Sequence, residues 1–374
     1  MRAQPEKSLV FTLALLLLSA PGWPAPPLRI AAVSAGKGEH SAEVVRLIAA
    51  AKEKGEKELN LSWSEESFSG AEGARMFQAL FHERYGMNIR VNFTPGPSMT
   101  QMAGKITQEV AAGYKASSDL LLGTESHYGD LWKRNVLEEY DYTRLSARIR
   151  KGLADPHGVQ IGGIISGVLY HTGLVAPAEV PKRLEDVLSP KWKGKIASTV
   201  NAGIFDRVAA RPEWGPEKMK AYVRKLSAHV GGLIRCGEVS RIISGEFSML
   251  VLGCGSLFAH QAQSKGAPLG HAILEDSTTI GFFYLGVPRT SANPHLAKLF
   301  INLVMSAEGQ RIAYKTYFTD HPDLPGSQSA AELKDLMVRG KEPLRVDARF
   351  VVSNPELRHL SVELRKILQE MPKG

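Results

Sequence analysis

The order of elements along the chain predicts an α/β protein of two lobes, each a mostly parallel sheet flanked by helices. Three observations carry that prediction. Short apolar strands alternate with helical stretches of about a dozen residues, first over 58–123 and again over 183–265, which is the pattern of parallel strands covered on both faces. A glycine-interrupted apolar run at 161–175, IGGIISGVLYHTGLV, separates the two sets and suits strands that leave one sheet for another. A second apolar crossing over 268–288 precedes a long helical stretch at 294–315. The first lobe is therefore expected to be discontinuous, with two crossover strands joining it to the second.

Each element has a local reason. Residues 42–57 read as a charged amphipathic helix, 58–64 as a short strand, and 73–85 as a helix whose Met76, Phe77, Leu80 and Phe81 recur at helical spacing. A strand at 88–94, a helix at 98–112 with Ser98 as its N-cap, and a strand at 119–123 complete the first set. In the second set a helix at 183–188, a strand at 195–199, a helix pair over 205–229 and a strand at 231–235 lead into the helix, strand and helix of 239–268. Past residue 327, Pro and Gly punctuate further helices. The chain thus divides into a signal peptide at 1–22, a leader and helix at 23–57, a first lobe at 58–160 and 275–326, a second lobe at 161–274, and a helical tail at 327–374 packing on the first lobe.

The N-terminus predicts export. Arg2 and Lys7 precede an apolar run from Leu9 to Leu18, and Ser19, Ala20, Pro21 and Gly22 follow it, as in a cleaved secretory leader. The run is too short for the roughly 18 apolar residues that span a bilayer. No cysteine follows it closely, which argues against a lipid anchor. About 350 residues then remain, too many for one core. Net charge falls only from +8 to +7 with the leader, but the basic residues are scattered and no aromatic-interleaved basic stripe appears, so nucleic acid is not an expected partner.

Cys236 and Cys254 are the only cysteines. In an exported chain they either close a disulfide at one end of their unit or stay as two half-buried thiols, and the oxidising compartment favours the bond. A loop of this size would stabilise the fold by roughly 3 kcal/mol.

Function is expected at the strand ends. In open α/β sheets, ligands bind beyond the carboxyl ends of strands, where helix N-termini present unpaired N–H groups. The loops at those positions hold Ser64, Glu65 and Ser67, then Ser98, then Thr124 and Glu125 in the first lobe. In the second lobe they hold Thr199 and Asn201, then Arg235, then Gly255 and Ser256. Hydroxyls and glycines at six strand ends make a polar cleft open to a small molecule, with Arg235 as a candidate anion clamp. Each Ser or Thr taken singly is equally a helix cap. No G-x-S-x-G, H-E-x-x-H, P-loop or Cys-x-x-Cys motif is present, and the eleven histidines are dispersed. No catalytic residue, metal ligand set or cofactor is therefore assigned. A triad assembled across loops leaves no linear signature, so a secreted α/β enzyme is the alternative.

Four segments carry a resemblance. FHERYGMNIRVNFTPGPSMTQMAGKITQEVAAGYKASSDLLLG from residue 81, LSPKWKGKIAS at 188–198, the segment 239–268 ending in Lys265-Gly266-Ala267-Pro268, and NPHLAKLFINLVMSAEGQ at 293–310 occur in one order. Together they resemble the periplasmic solute-binding proteins of ABC importers, in the branch labelled iron(III)-type, over roughly residues 58–315. The resemblance implies a type II periplasmic-binding-protein fold, hinged closure on a solute, and delivery by a monomer to an inner-membrane permease. Iron-binding members use a histidine, a glutamate and two adjacent tyrosines. Here Glu125 stands in the glutamate place, Ser67 near the histidine place, and Ser256 and Leu257 in the tyrosine places. Fe(III) is a hard cation that requires anionic oxygen donors, so the expected cargo is a small organic or phosphorylated anion. Iron held by other ligands, with Tyr128 and Tyr284 as candidates, is the alternative.

Overall fold

The computed structural model describes residues 40–253 and 255–370. The expected leader at 1–22 and the cysteine Cys254 lie outside these residues. The first helix, α1 (Ala42–Glu53), starts where Ser41 accepts a hydrogen bond from the Val44 N–H. Strand β1 (Glu58–Trp63) and strand β2 (Arg90–Pro95) pair in parallel. Between them, α2 (Ala71–Tyr85) ends at Gly86, whose φ of 61° gives the left-handed cap a glycine adopts at least cost. Helix α3 (Met99–Ala111) opens with a Ser98–Gln101 capping box, and β3 (Leu121–Thr124) runs directly into α4 (Glu125–Lys133).

The crossing region forms β4 (Ala154–Asp155), β5 (Gly158–Ile165) and β6 (Val168–His171). The second lobe continues with β7 (Ile196–Thr199), α5 (Phe205–Ala209), α6 (Gly215–Ser227), β8 (Gly232–Ile234) and α7 (Ser240–Ile243). It closes with β9 (Met249–Val251), α8 (Ser256–Gln263) and β10 (Leu269–Ala272). Strand order in this sheet is β10-β6-β9-β7-β8. The chain then returns through β11 (Thr279–Gly286), which is buried along its whole length and pairs with β5 and β3 in the first lobe.

Pairing follows from what each strand does. Strands that feed helices pair in parallel, as β1 with β2 and β7 with β8 and β9. The crossover strands run back against their neighbours, so β5 with β11 and β6 with β9 and β10 are antiparallel. The first lobe holds the β1-β2 pair and a second sheet of order β12-β11-β5-β4, with β12 at Leu344–Val346 and β3 on β11, and each lobe buries two apolar cores. In the first lobe one core is centred on Phe77, Phe81 and Phe300 and the other on Tyr128, Phe282 and Tyr284. In the second lobe the two are centred on Phe205, Met219 and Val223 and on Leu169, Ile234 and Leu250.

After β11 the expected single long helix is two, α9 (Pro294–Val304) and α10 (Ala307–Tyr317). Ser306 breaks them by accepting from the Gly309 N–H and starting a new helix. The tail forms α11 (Gln328–Val338), β12 (Leu344–Val346), α12 (Ala348–Ser353) and α13 (Glu356–Gln369). Its path differs from the expectation that all of it packs on the first lobe. Strand β12 joins β11 in parallel and α12 lies on α4, but α13 crosses to α5 and α6. Leu360, Leu364 and Leu368 recur at helical spacing and bury themselves in the second lobe's core, which fixes the crossing.

Cys236 follows β8 and is disulfide-bonded. We propose Cys254 as its partner, since the chain has no third cysteine. Thiol titration of the unfolded, unreduced protein is expected to find no reactive thiol, and two would refute the pairing.

Candidate functional site

The end of β3 and the loop after β7 meet between the lobes, and the tail covers them. Glu125, the first residue of α4, is only 1% exposed. Its Oε2 accepts from the Phe282 N–H at 3.0 Å. Its Oε1 lies 2.5 Å from Nη2 of Arg207 on α5, an ion pair across the lobes whose angle falls outside hydrogen-bond geometry. The Arg207 Nη2 also donates to Ser126 Oγ at 3.2 Å. Gly281 on β11 lies beneath this pair, and a Cβ there would stand 3.2 Å from Glu125 Oε2 and 3.5 Å from Arg207 Nη1, a close fit.

Beside the pair is a cavity of about 450 Å³, a volume suited to a small solute. Ser126, His127 and Asp130 line it from α4, Asp206 and Arg207 from α5, and Phe350, Arg358 and Arg365 from the tail. His127 is neutral there for two reasons. Burial lowers its pKa, and its Nδ1 accepts from the Thr124 N–H at 3.0 Å, which leaves Nε2 to donate to Thr100 Oγ1 at 2.9 Å. Burial pushes the Asp206 carboxyl up to about 6 against the opposing pull of Arg207.

The residues expected from sequence are divided by this geometry. Glu125 does not line the cavity itself but braces Arg207, which does, and Thr124 holds His127 in orientation. Asn201 is exposed in the loop leading to α5, while Thr199 is buried. Ser98 caps α3 from an exposed position. Ser64 and Ser67 bond each other at 2.8 Å in a tight loop after β1, where Phe68 and Ser69 take φ of 52° and 54°, and Glu65 points to solvent. Gly255, at φ 92°, and buried Ser256 are pressed on β5. Arg235 is exposed, with its backbone N–H bound to the Glu238 carboxylate, and does not line the cavity. The candidates therefore do not form one wall.

Sequence reasoning missed Arg207 and Asp206, although Asn201, Ala202 and Gly203 lead straight into their helix. It gave no signal for Phe350, Arg358 or Arg365, which enter only because the tail crosses the lobes. His260 and His271 lie elsewhere and face one carboxylate, with Glu332 Oε1 3.7 Å from the first and 2.8 Å from the second. Among the described residues, no three His, Cys, Asp or Glu side chains are arranged to hold a metal ion.

The two tyrosines considered for iron are core residues, each 1% exposed and stacked on one another at 4.7 Å between ring centroids. Tyr128 OH donates to the Leu121 carbonyl, and Tyr284 OH accepts from the Ala348 N–H. Burial raises both phenols, so neither supplies a phenolate.

Comparison with known proteins agrees with this architecture. The family model described as bacterial extracellular solute-binding protein matches residues 76–338. The "Major ferric iron-binding protein" of Neisseria meningitidis serogroup A is 24% identical over 260 residues, spanning 64% of this chain and 74% of the relative. Iron-bound HitA from Pseudomonas aeruginosa superposes with a TM-score of 0.64 at 17% identity, covering 82% of this chain and 99% of that one. A periplasmic binding protein from Agrobacterium tumefaciens in complex with agropinic acid gives a TM-score of 0.60 at 14% identity, with coverage of 84% and 99%. The fold is that of two-lobed type II periplasmic binding proteins, and the chain belongs to the bacterial extracellular solute-binding proteins, a family of transport binding proteins rather than enzymes.

Proposed function

We propose that the chain is the periplasmic solute-capturing component of an ABC importer. As a monomer it takes a small organic or phosphorylated anion into the interlobe cavity and delivers it to an inner-membrane permease. The observation that carries this reading is Arg207. Its guanidinium lines the cavity, is braced by Glu125 and Ser126, and makes no hydrogen bond from Nε or Nη1 among the described residues. Those donors are free for a carboxylate or phosphate, the groups whose geometry matches a guanidinium fork. The same arginine argues against a cationic cargo beside Glu125, since its charge already occupies that carboxylate.

Iron is the named cargo of several similar proteins, but the ligand positions do not support it here. Ser67, Ser256 and Leu257 replace three donors, and Tyr128 and Tyr284 are held in the core.

A thermal-shift panel of carboxylates, phosphate esters, a ferric chelate and spermidine tests the reading. Stabilisation by an acid in the wild type, lost in Arg207→Ala, is expected. Stabilisation by the ferric chelate or spermidine alone would overturn it.

A further inference from the structure

Five charged side chains line the cavity, with Glu125 behind them, and four of these six groups neutralise each other in pairs. Arg207 pairs with Glu125 and Arg358 with Asp130. Asp206 and Arg365 line the same cavity and make no ion pair among the described residues. Asp206 accepts from the Arg207 backbone N–H, at 2.8 Å. Arg365 shares one face of α13 with Arg358 and Ser361, the spacing at which helical residues align.

We propose that the solute is zwitterionic, an organic acid that also carries an amine, with Asp206 facing the ammonium and Arg365 adding the uncompensated charge for the acid. This rests on the cavity being the solute site. A half-buried carboxylate that makes no ion pair is costly, and a bound ammonium lowers that cost. An acid without an amine would enter facing Asp206 and be repelled. A cation without an acid would leave Arg365 and the free Arg207 donors unmatched. Arg365 lies beyond the residues that the family model matches, 76–338, so this part of the recognition belongs to the tail.

The proton linkage has a definite sign. Asp206 must be ionised to hold an ammonium, and its carboxyl titrates at about 6 in the free protein. The other groups around it are Glu125, His127 and Asp130 on α4, Arg207 on its own helix, and Arg358 and Arg365 on α13. Preference for the amine is therefore full above that value and fades as pH falls through it.

Calorimetric titration with two matched pairs tests the proposal, L-glutamate against glutarate and phosphoethanolamine against ethyl phosphate. In the wild type the amine-bearing member of a pair is expected to bind at least about tenfold tighter. Asp206→Asn should erase that preference, flatten its pH profile and tighten the plain acid, whose repulsion it removes. Arg365→Ala should weaken both members about three- to tenfold. Equal binding of both members, unchanged by Asp206→Asn, would overturn the inference and leave the proposed function standing. No binding by any acid, with or without an amine, would overturn both.

Discussion

Replacing Asp119 by alanine is expected to remove about 4 kcal/mol of folding free energy, read as a lower midpoint in urea at an unchanged slope. The carboxylate is 1% exposed and accepts five hydrogen bonds. Two come from the backbone and side chain of Asn60 on β1, at 2.8 and 3.1 Å. The others come from Ser291 Oγ and from the backbone and side chain of Asn293, in the connection between β11 and α9, at 2.8, 3.0 and 3.0 Å. One side chain thus joins the first strand of the lobe to the segment that returns to it, 172 residues beyond Asp119 itself. Its removal strands buried donors in parts of the chain that are distant in sequence. Asp119→Asn keeps the shape, loses acceptor capacity, and is expected to cost about half as much. A loss below about 1 kcal/mol for the alanine variant would mean that water replaces the carboxylate and that the tie does not hold the lobe together.

Arg207→Ala has the second large effect, and on two observables. It leaves the Glu125 carboxylate, at 1% exposure, with only the Phe282 N–H. Breaking a buried pair from one side costs about 3–5 kcal/mol. The arginine side chain is 20% exposed, so the lower end, about 3 kcal/mol, is expected. Removing both charges together, Arg207→Leu with Glu125→Gln, should recover most of that loss, because the penalty is a stranded charge rather than a missing contact. Solute affinity should not recover in the double variant, since the guanidinium donors are gone. A double variant as unstable as the single would assign the loss to packing of α5 instead.

Much of the fold was legible because its signals are local. The 3.6-residue spacing of Phe77, Leu80 and Phe81, the Ser98 cap and the glycine-punctuated crossing all report on residues near them. What was missed depends on destinations. The leucines of α13 announce a helix with one apolar face, but nothing in them says which lobe receives it. Strand β12, Leu344–Val346, is three residues long and exists because β11 offers an edge. The 294–315 stretch is apolar enough to read as one helix, yet a single Ser306 hydroxyl starts a second.

The site divides in the same way. Glu125 could be placed because it follows β3 directly. Arg235 and Arg207 each follow a strand of the second lobe, and chain order does not say which guanidinium turns inward. Arg207 does so because α5 sits beneath α13, from where its side chain reaches Glu125 and Ser126 on α4, whereas Arg235 leaves the edge strand β8 toward solvent.

The most direct test of solute capture is native mass spectrometry of the protein purified from its own host. A single non-covalent mass excess from a small organic acid is expected, present in the wild type and absent from Arg207→Ala. An excess equal to one iron atom, retained in Arg207→Ala, would contradict it.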